Sequence, residues 1–127
     1  MSSDTTTTII GNLRRDPQIR YTRGVEAITT LGVAVNRRWQ NGETNEWEES
    51  TSFFDVIVHG DLAENVALSL TEGMRVIVTG RLEQRSWETE DGDRRFVVIV
   101  ADEVGPALRF ATVDVHRVVR PTAEVTA

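Results

Sequence analysis

The chain has 127 residues, a formal charge of −6 and no cysteine, and 39% of its residues are hydrophobic and 27% charged. This composition is typical of one globular domain, and the absence of cysteine excludes a disulfide scaffold, a thiolate zinc site and a cysteine nucleophile. No apolar run approaches the ~20 residues of a membrane span. Met1–Thr8 lacks the basic and apolar regions of a signal peptide, so the sequence predicts no membrane partner.

The charge is distributed unevenly. Residues 39–73 contain eight acidic residues and no basic one, whereas the rest of the chain carries a net charge of +2. A negative net charge argues at first sight against a nucleic-acid partner. Here, however, residues 39–73 alone account for more than the whole excess of negative charge. All 14 basic residues are arginine, whose guanidinium group can stack on rings as well as pair with phosphates.

The first part of the chain is predicted to form β-strands. Val, Ile and Thr account for 39 of the 127 residues, and side chains branched at Cβ favour strands. Alternating hydrophobicity predicts one strand over residues 25–35 and a shorter one over residues 54–58. The side chains predicted to point inward are Val25, Ala27, Leu31, Val33, Val35, Phe54, Val56 and Val58. A polar connection from Asn41 to Ser50 separates the two strands.

One segment has helical periodicity. Apolar side chains recur every four residues between positions 62 and 70. Asp61 is a suitable N-cap, Glu64 completes a capping box, and Gly73 supplies a stop signal. These features predict a single helix of about ten residues that packs one apolar stripe against the rest of the domain.

Two more strands are predicted after the helix. Residues 74–82 alternate, and the run Phe96–Val100 is continuously apolar, as in a strand that is covered on both sides. Asp91-Gly92 between them predicts a hairpin turn, and Ala111–Val119 is again β-like. The residues of the first of these strands that are predicted to point inward are Met74, Val76, Val78 and Leu82.

This order of elements predicts an all-β fold. We interpret the whole chain as three strands, one helix and two further strands, followed by a C-terminal extension. Five strands with one helix between the third and the fourth indicate an OB-fold, a five-stranded Greek-key barrel that binds oligonucleotides or oligosaccharides. We expect the OB-fold domain to cover residues 1–115 and a short C-terminal extension to cover residues 116–127.

Catalytic chemistry is weakly supported. His59 and Asp61 could supply a base and an orienting carboxylate for a small hydrolase, but no nucleophile or metal-ligand set accompanies them. The acidic residues around Trp47 are spaced irregularly and are predicted to belong to a solvated loop rather than to a metal site; they are Glu43, Glu46, Glu48 and Glu49.

The outer faces of the predicted strands carry rings and arginines. Because strand side chains alternate, Phe53, His59 and Trp87 are predicted to point outward, and Trp39 lies where its strand leaves the barrel. Aromatic rings stack on unpaired bases, and arginine contacts phosphates. The candidate phosphate contacts are Arg20, Arg37, Arg38, Arg81, Arg85, Arg94 and Arg95.

Several motifs resemble bacterial single-stranded DNA-binding proteins, most closely the actinobacterial members. The matching stretches are Ile10–Leu13, Asp16–Tyr21, Ala34–Trp39, Leu62–Val66, Gly73–Leu82, Gln84–Gly92 and Asp102–Thr112. The resemblance covers about residues 5–115.

The resemblance implies an OB-fold protein that assembles as a homotetramer, a dimer of dimers. Such a protein wraps single-stranded DNA during replication, recombination and repair, in the cytoplasm and associated with the nucleoid. It needs no cofactor and has no catalytic activity. The stacking positions of the family fall on Trp39, Phe53, His59 and Trp87, the same residues that strand alternation and strand ends select.

The sequence departs from the family pattern in three places. His59 stands where many members have Phe, and Asp55 and Asp61 stand where basic residues are common. The main replicative members end in a Gly/Pro-rich linker and an acidic tip that recruits partner proteins, whereas this sequence ends at Pro121–Ala127. We therefore expect recruitment through such a tip to be absent. A primosomal-type OB-fold module, in which protein partners dominate, is the alternative to DNA binding.

Overall fold

The computed structural model describes residues 5–119, and over this range it contains six strands and one helix. The elements are β1 Thr6–Leu13, β2 Gln18–Tyr21, β3 Ala27–Gln40, β4 Trp47–His59, α1 Gly60–Ser69, β5 Arg75–Thr89 and β6 Gly92–Pro106.

Five of the strands pair in a closed ring. β1 pairs with both β3 and β5, β5 pairs with β6, β6 with β4, and β4 with β3. The β4–β6 pair is parallel and the others are antiparallel. The helix follows the third strand of the ring, so the predicted OB-fold is confirmed. The sequence did not predict the short strand β2, which among the described strands pairs only with β3.

The core lies inside this ring. Its fully buried side chains come from the predicted inward positions of β3, β4 and β5 and from the centre of β6. They include Leu31, Val33, Val56, Val58, Val76, Val78 and Ile99.

Some residues predicted to be buried are exposed, because they lie outside the barrel. Val25 is 75% exposed in the turn before β3, where its φ is +66°. Met74 and Leu82 lie where β5 enters and leaves the barrel and are partly exposed. Phe96 and Val97 are also exposed, so only the last three residues of the predicted apolar run are covered on both sides.

Helix α1 has the predicted length of ten residues but begins earlier than expected. His59 occupies the N-cap position without a side-chain cap, and Asp61 lies in the first turn, so the predicted N-cap was misplaced. The buried hydroxyl of Thr29 donates a hydrogen bond of 2.8 Å to the carbonyl oxygen of Ala63, which fixes the helix to β3.

Within the described part of the chain, no helix has the length and apolarity needed to cross a membrane.

Two predicted segments differ from the structure. The polar connection ends earlier than Ser50, because β4 begins at Trp47 and its first residues pair with the end of β3. The side-chain carbonyl oxygen of Asn41 accepts hydrogen bonds from two backbone N–H groups of the intervening turn. The predicted β-structure at Ala111–Val119 was wrong, because residues 107–119 form no regular secondary structure. Strand propensity yields a strand only where the segment finds a pairing partner, and within the described residues this segment pairs with no strand.

Glycine is required at two close backbone contacts. A Cβ atom at Gly11 would clash with the carbonyl oxygen of Ala34, where β1 crosses β3. A Cβ atom at Gly80 would contact the carbonyl oxygen of Val100 and the Cα of Ala101, at a register shift between β5 and β6. These contacts allow the barrel to close.

Candidate nucleic-acid interface

The strand register defines one continuous surface outside the core. The core residues Val33, Val56 and Ile99 point inward, and their neighbours in sequence point to the opposite side of the sheet. We call this side of strands β3, β4, β6 and β5 the outer face. Val98 lies on it between Asp55 of β4 and Glu83 of β5.

Three of the four predicted stacking residues lie on the outer face. Phe53 and His59 are on β4, and Trp87 is on β5. Phe53 is 59% exposed and Trp87 is 52% exposed, so both rings are accessible. Trp39 lies on the opposite face of the β3–β4 ribbon, because the register pairs it with Glu48.

The predicted phosphate-binding arginines divide in the same way. On β5 and β6, Trp87 pairs with Arg94 and therefore shares its face, whereas Arg95 points to the other face. Alternation along β3 likewise separates Arg37 from Arg38. The predicted arginines on the outer face are Arg20, Arg38, Arg81, Arg85 and Arg94.

On the β3–β4 ribbon, arginines lie close to the rings. The guanidinium carbon of Arg14 is 4.2 Å from the ring centroid of Phe53. Arg38 lies over Trp47 at 5.2 Å, and Arg37 lies 5.4 Å from the Trp39 ring. Such cation–π contacts are each worth about 0.5–1 kcal/mol at exposed sites, so these rings are already partly covered.

The β5–β6 ribbon presents its large ring differently. Trp87 contacts Phe96 edge to face, with centroids 4.9 Å apart and an interplanar angle of 66°. Trp87 is nevertheless 52% exposed, so part of its ring remains accessible to another flat group. Arg94 is opposite Trp87 across the strands, which brings positive charge next to that ring.

Two of the predicted phosphate contacts are already paired with an acid. Glu83 lies between Arg81 and Arg85 on the same face of β5. Both Nε and Nη2 of Arg85 donate to Glu83 Oε1, at 3.0 and 2.8 Å. Nη2 of Arg81 lies 3.4 Å from Glu83 Oε2. All three side chains are only partly exposed.

Near the end of β4, His59 is flanked by groups of both signs. Arg20 and His59 both pair with Ile28, from β2 and β4 respectively, so they share one row across the outer face. His59 Nδ1 lies 3.7 Å from Glu26 Oε2. Among residues 5–119, no group of three His, Asp or Glu side chains is placed to hold a metal ion.

Sequence reasoning missed several residues of the outer face. Trp47 is 63% exposed and lies on the same face as Phe53, but it was predicted to lie in a loop. Phe96 was predicted to be buried and instead packs against Trp87. Arg14 was not among the predicted arginines, and its position over Phe53 depends on a tertiary contact that alternation does not reveal. Extending the alternation of β4 backward to Trp47 would have identified that residue.

The chain matches the single-strand binding protein family over residues 4–107. The single-stranded DNA-binding protein of Corynebacterium glutamicum is 50% identical over 119 residues, which are 92% of this chain and 53% of that protein. This chain thus spans about half the length of that relative. The corresponding protein of Mycobacterium leprae is 47% identical over 122 residues, which are 94% of this chain and 73% of that protein.

Solved structures have the same fold. An SSB from Plasmodium falciparum in complex with ssDNA has a TM-score of 0.77 at 23% identity, covering 84% of this chain and 97% of that chain. A deletion mutant of the single-stranded DNA binding protein from Thermus aquaticus has a TM-score of 0.71 at 30% identity, covering 82% of this chain and 50% of that chain. The resemblance in the sequence motifs is therefore confirmed, and the chain belongs to the single-strand binding protein family.

Proposed function

We propose that this protein binds single-stranded DNA without sequence preference and protects it during replication, recombination and repair. The observation that carries the proposal is the outer face, on which Phe53, Trp87 and His59 lie together with five of the seven predicted arginines. Both kinds of group are needed, because rings bind bases and guanidinium groups bind phosphates.

Stacking accounts for the lack of sequence preference. Every base has a flat face, and each base stacked on a ring contributes roughly 1–3 kcal/mol whatever its identity. In a duplex those faces are hidden, so the exposed rings of Phe53 and Trp87 favour single strands. We propose that His59 is a weaker stacking residue, and that Trp39 binds a strand that passes to the other side of the β3–β4 ribbon.

Arginine supplies the attraction to the backbone. Arg38 and Arg94 lie near Trp47 and Trp87, so a strand stacked on these rings would have phosphates within their reach. We propose Arg20, Arg37, Arg81, Arg85 and Arg95 as further contacts. The acidic block over residues 39–73 weakens long-range attraction, which leaves stacking a larger share of the binding free energy.

A fluorescence titration tests the proposal. Oligo-dT should quench the tryptophan emission, and rising salt should reverse the quenching, because bound phosphates release counterions. A duplex of the same length is the matched control and should quench far less. Unquenched emission with oligo-dT at low salt would contradict the proposal.

We further propose that the chain assembles as a homotetramer, a dimer of dimers. Ile10 and Ile77 pair across β1 and β5 on the outside of the barrel and are 43% and 40% exposed, so they form an apolar pair that we propose a second copy covers. Light scattering should give four times the mass of the chain. Ile77→Asp should lower that mass, Val25→Asp at another exposed position should not, and a monomeric wild-type protein would contradict the assembly.

The remaining features of the proposal follow from the family. We propose a cytoplasmic, nucleoid-associated binding protein with no catalytic activity and no cofactor, whose DNA-binding domain spans residues 1–115 with an extension over residues 116–127. The expected absence of recruitment through an acidic tip concerns Pro121–Ala127, which lie outside the described residues.

A further inference from the structure

We propose that Glu83 is a built-in competitor of the DNA backbone, which occupies the donors of Arg81 and Arg85 until a phosphate replaces it. This inference rests on the proposed binding of single-stranded DNA. It assigns to one carboxylate the role of lowering affinity, so that a bound strand is released more readily.

The geometry shows how fully the carboxylate engages the two arginines. One oxygen of Glu83 accepts two hydrogen bonds from Arg85, from Nε and from Nη2, at 3.0 and 2.8 Å. The other oxygen lies 3.4 Å from Nη2 of Arg81. Both oxygens of the acid are thus used, each on a different arginine.

A phosphate would need the same donors. Guanidinium groups bind carboxylates and phosphates through the same fork of N–H groups. With Glu83 in place, the three side chains carry a net charge of +1 rather than the +2 of the two arginines alone. A DNA strand whose phosphates bind both arginines must therefore displace the carboxylate. Part of the binding free energy is used for this exchange.

The location of the cluster connects it to the stacking site. Arg81, Glu83, Arg85 and Trp87 alternate along one face of β5. A base stacked on Trp87 would bring its backbone towards Arg85, two residues away. The side chains of the cluster are 37–42% exposed, so the ion pairs are accessible to solvent and can exchange without unfolding the strand.

The test compares two substitutions that change the net charge equally. Glu83→Gln removes the carboxylate charge with little change in shape, and Glu88→Gln does the same on the opposite face of β5. Affinity for oligo-dT is measured by tryptophan fluorescence over a series of salt concentrations. We expect Glu83→Gln to tighten binding about 3- to 10-fold at low salt, as expected for releasing two partly exposed ion pairs. Its salt slope should stay close to that of the wild-type protein, because Arg81 and Arg85 contact the phosphates in both complexes.

The control separates the competitor role from a general charge effect. Glu88→Gln should shift affinity much less than Glu83→Gln. Equal shifts in the two variants, or unchanged or weakened binding by Glu83→Gln, would overturn the inference. Glu83→Thr is a second variant, because threonine is well suited to a strand. It should also tighten binding, and it replaces the glutamine variant if that variant folds poorly.

A second comparison identifies the group that is released. Arg85→Gln should cost more affinity in the Glu83→Gln background than in the wild-type protein, because only there is Arg85 free before binding. An equal cost in the two backgrounds would contradict the competition. Failure of the wild-type protein to bind oligo-dT is a different result, since it would overturn the proposed function itself.

Discussion

The β3–β4 and β5–β6 ribbons both extend from the barrel and both carry rings and arginines, yet they use them in opposite ways. On β3–β4, Phe53 and Trp47 each lie under a guanidinium group, at 4.2 and 5.2 Å. On β5–β6, Trp87 contacts another ring edge to face, while Arg85 is held by Glu83. One ribbon thus places cations over its rings, and the other packs its ring against a second ring and pairs its cations with an acid.

The acids of the two ribbons also differ in strength of contact. The ion pair between Arg38 and Glu49 on β3–β4 spans 4.0 Å, and both side chains are largely exposed. Such a pair contributes little to stability. Glu83 on β5–β6 makes a bond of 2.8 Å in a half-buried setting. The acidic block therefore affects the long-range field of the protein, whereas Glu83 acts locally on two arginines.

The largest expected difference between the ribbons concerns their glycines. Gly80→Ala, at the base of β5–β6, would press a Cβ atom against the backbone of Val100 and Ala101, which cannot move aside. We expect it to lower the free energy of unfolding by about 3 kcal/mol, the upper range for overpacking. Gly42→Ala, beyond the end of β3, meets no atom within 4 Å and should change it by less than about 1 kcal/mol. Urea unfolding measures both, and equal effects would contradict the assigned contact.

The next effect concerns the rings. Trp87→Ala should weaken oligo-dT binding by roughly 1–3 kcal/mol, because its exposed ring is accessible to a base. Trp47→Ala should weaken it less, because Arg38 lies over one face of that ring at 5.2 Å and competes with a base for that face. The melting temperature serves as the control for folding. Neither substitution should change it by much, because both rings are exposed. A larger loss for Trp47 than for Trp87 would reverse the proposed roles of the two ribbons.

The smallest effect separates two neighbouring arginines of β6. Arg94 shares the outer face with Trp87, whereas Arg95 pairs with Ser86 and points to the other face. Arg94→Gln should weaken binding by about 0.5–1 kcal/mol, as for an exposed ion pair, and should lower the salt slope by about 0.7. Arg95→Gln should change both quantities less. If the two variants bound equally, the face would not determine which arginine contacts DNA.

Much of the fold was predictable because it depends on local periodicity. Inward positions such as Leu31, Val56 and Val78 follow from alternation, and all three are fully buried. The bounds of the elements were less predictable, because β4 extends to Trp47 only through its pairing with β3. The predicted strand over Ala111–Val119 failed for the related reason that propensity does not supply a pairing edge.

The site was predictable as a face but not as a set of contacts. Alternation selected Phe53 and Trp87, which lie on the outer face. It could not show that Arg14, far away in sequence, covers Phe53, because that contact requires the closed barrel. Glu83 was invisible for another reason: two charges at spacing i and i+2 are common in strands, and only the side-chain geometry reveals the shared carboxylate.

The central claim is that an exposed ring on β5–β6 stacks on the bases of single-stranded DNA, and one titration tests it directly. The chain has three tryptophans, so the double variant Trp39→Phe and Trp47→Phe leaves Trp87 as the only tryptophan. We predict that oligo-dT strongly quenches this variant at low salt and that salt restores its emission. Binding detected by another method without any quenching of Trp87 would contradict the claim.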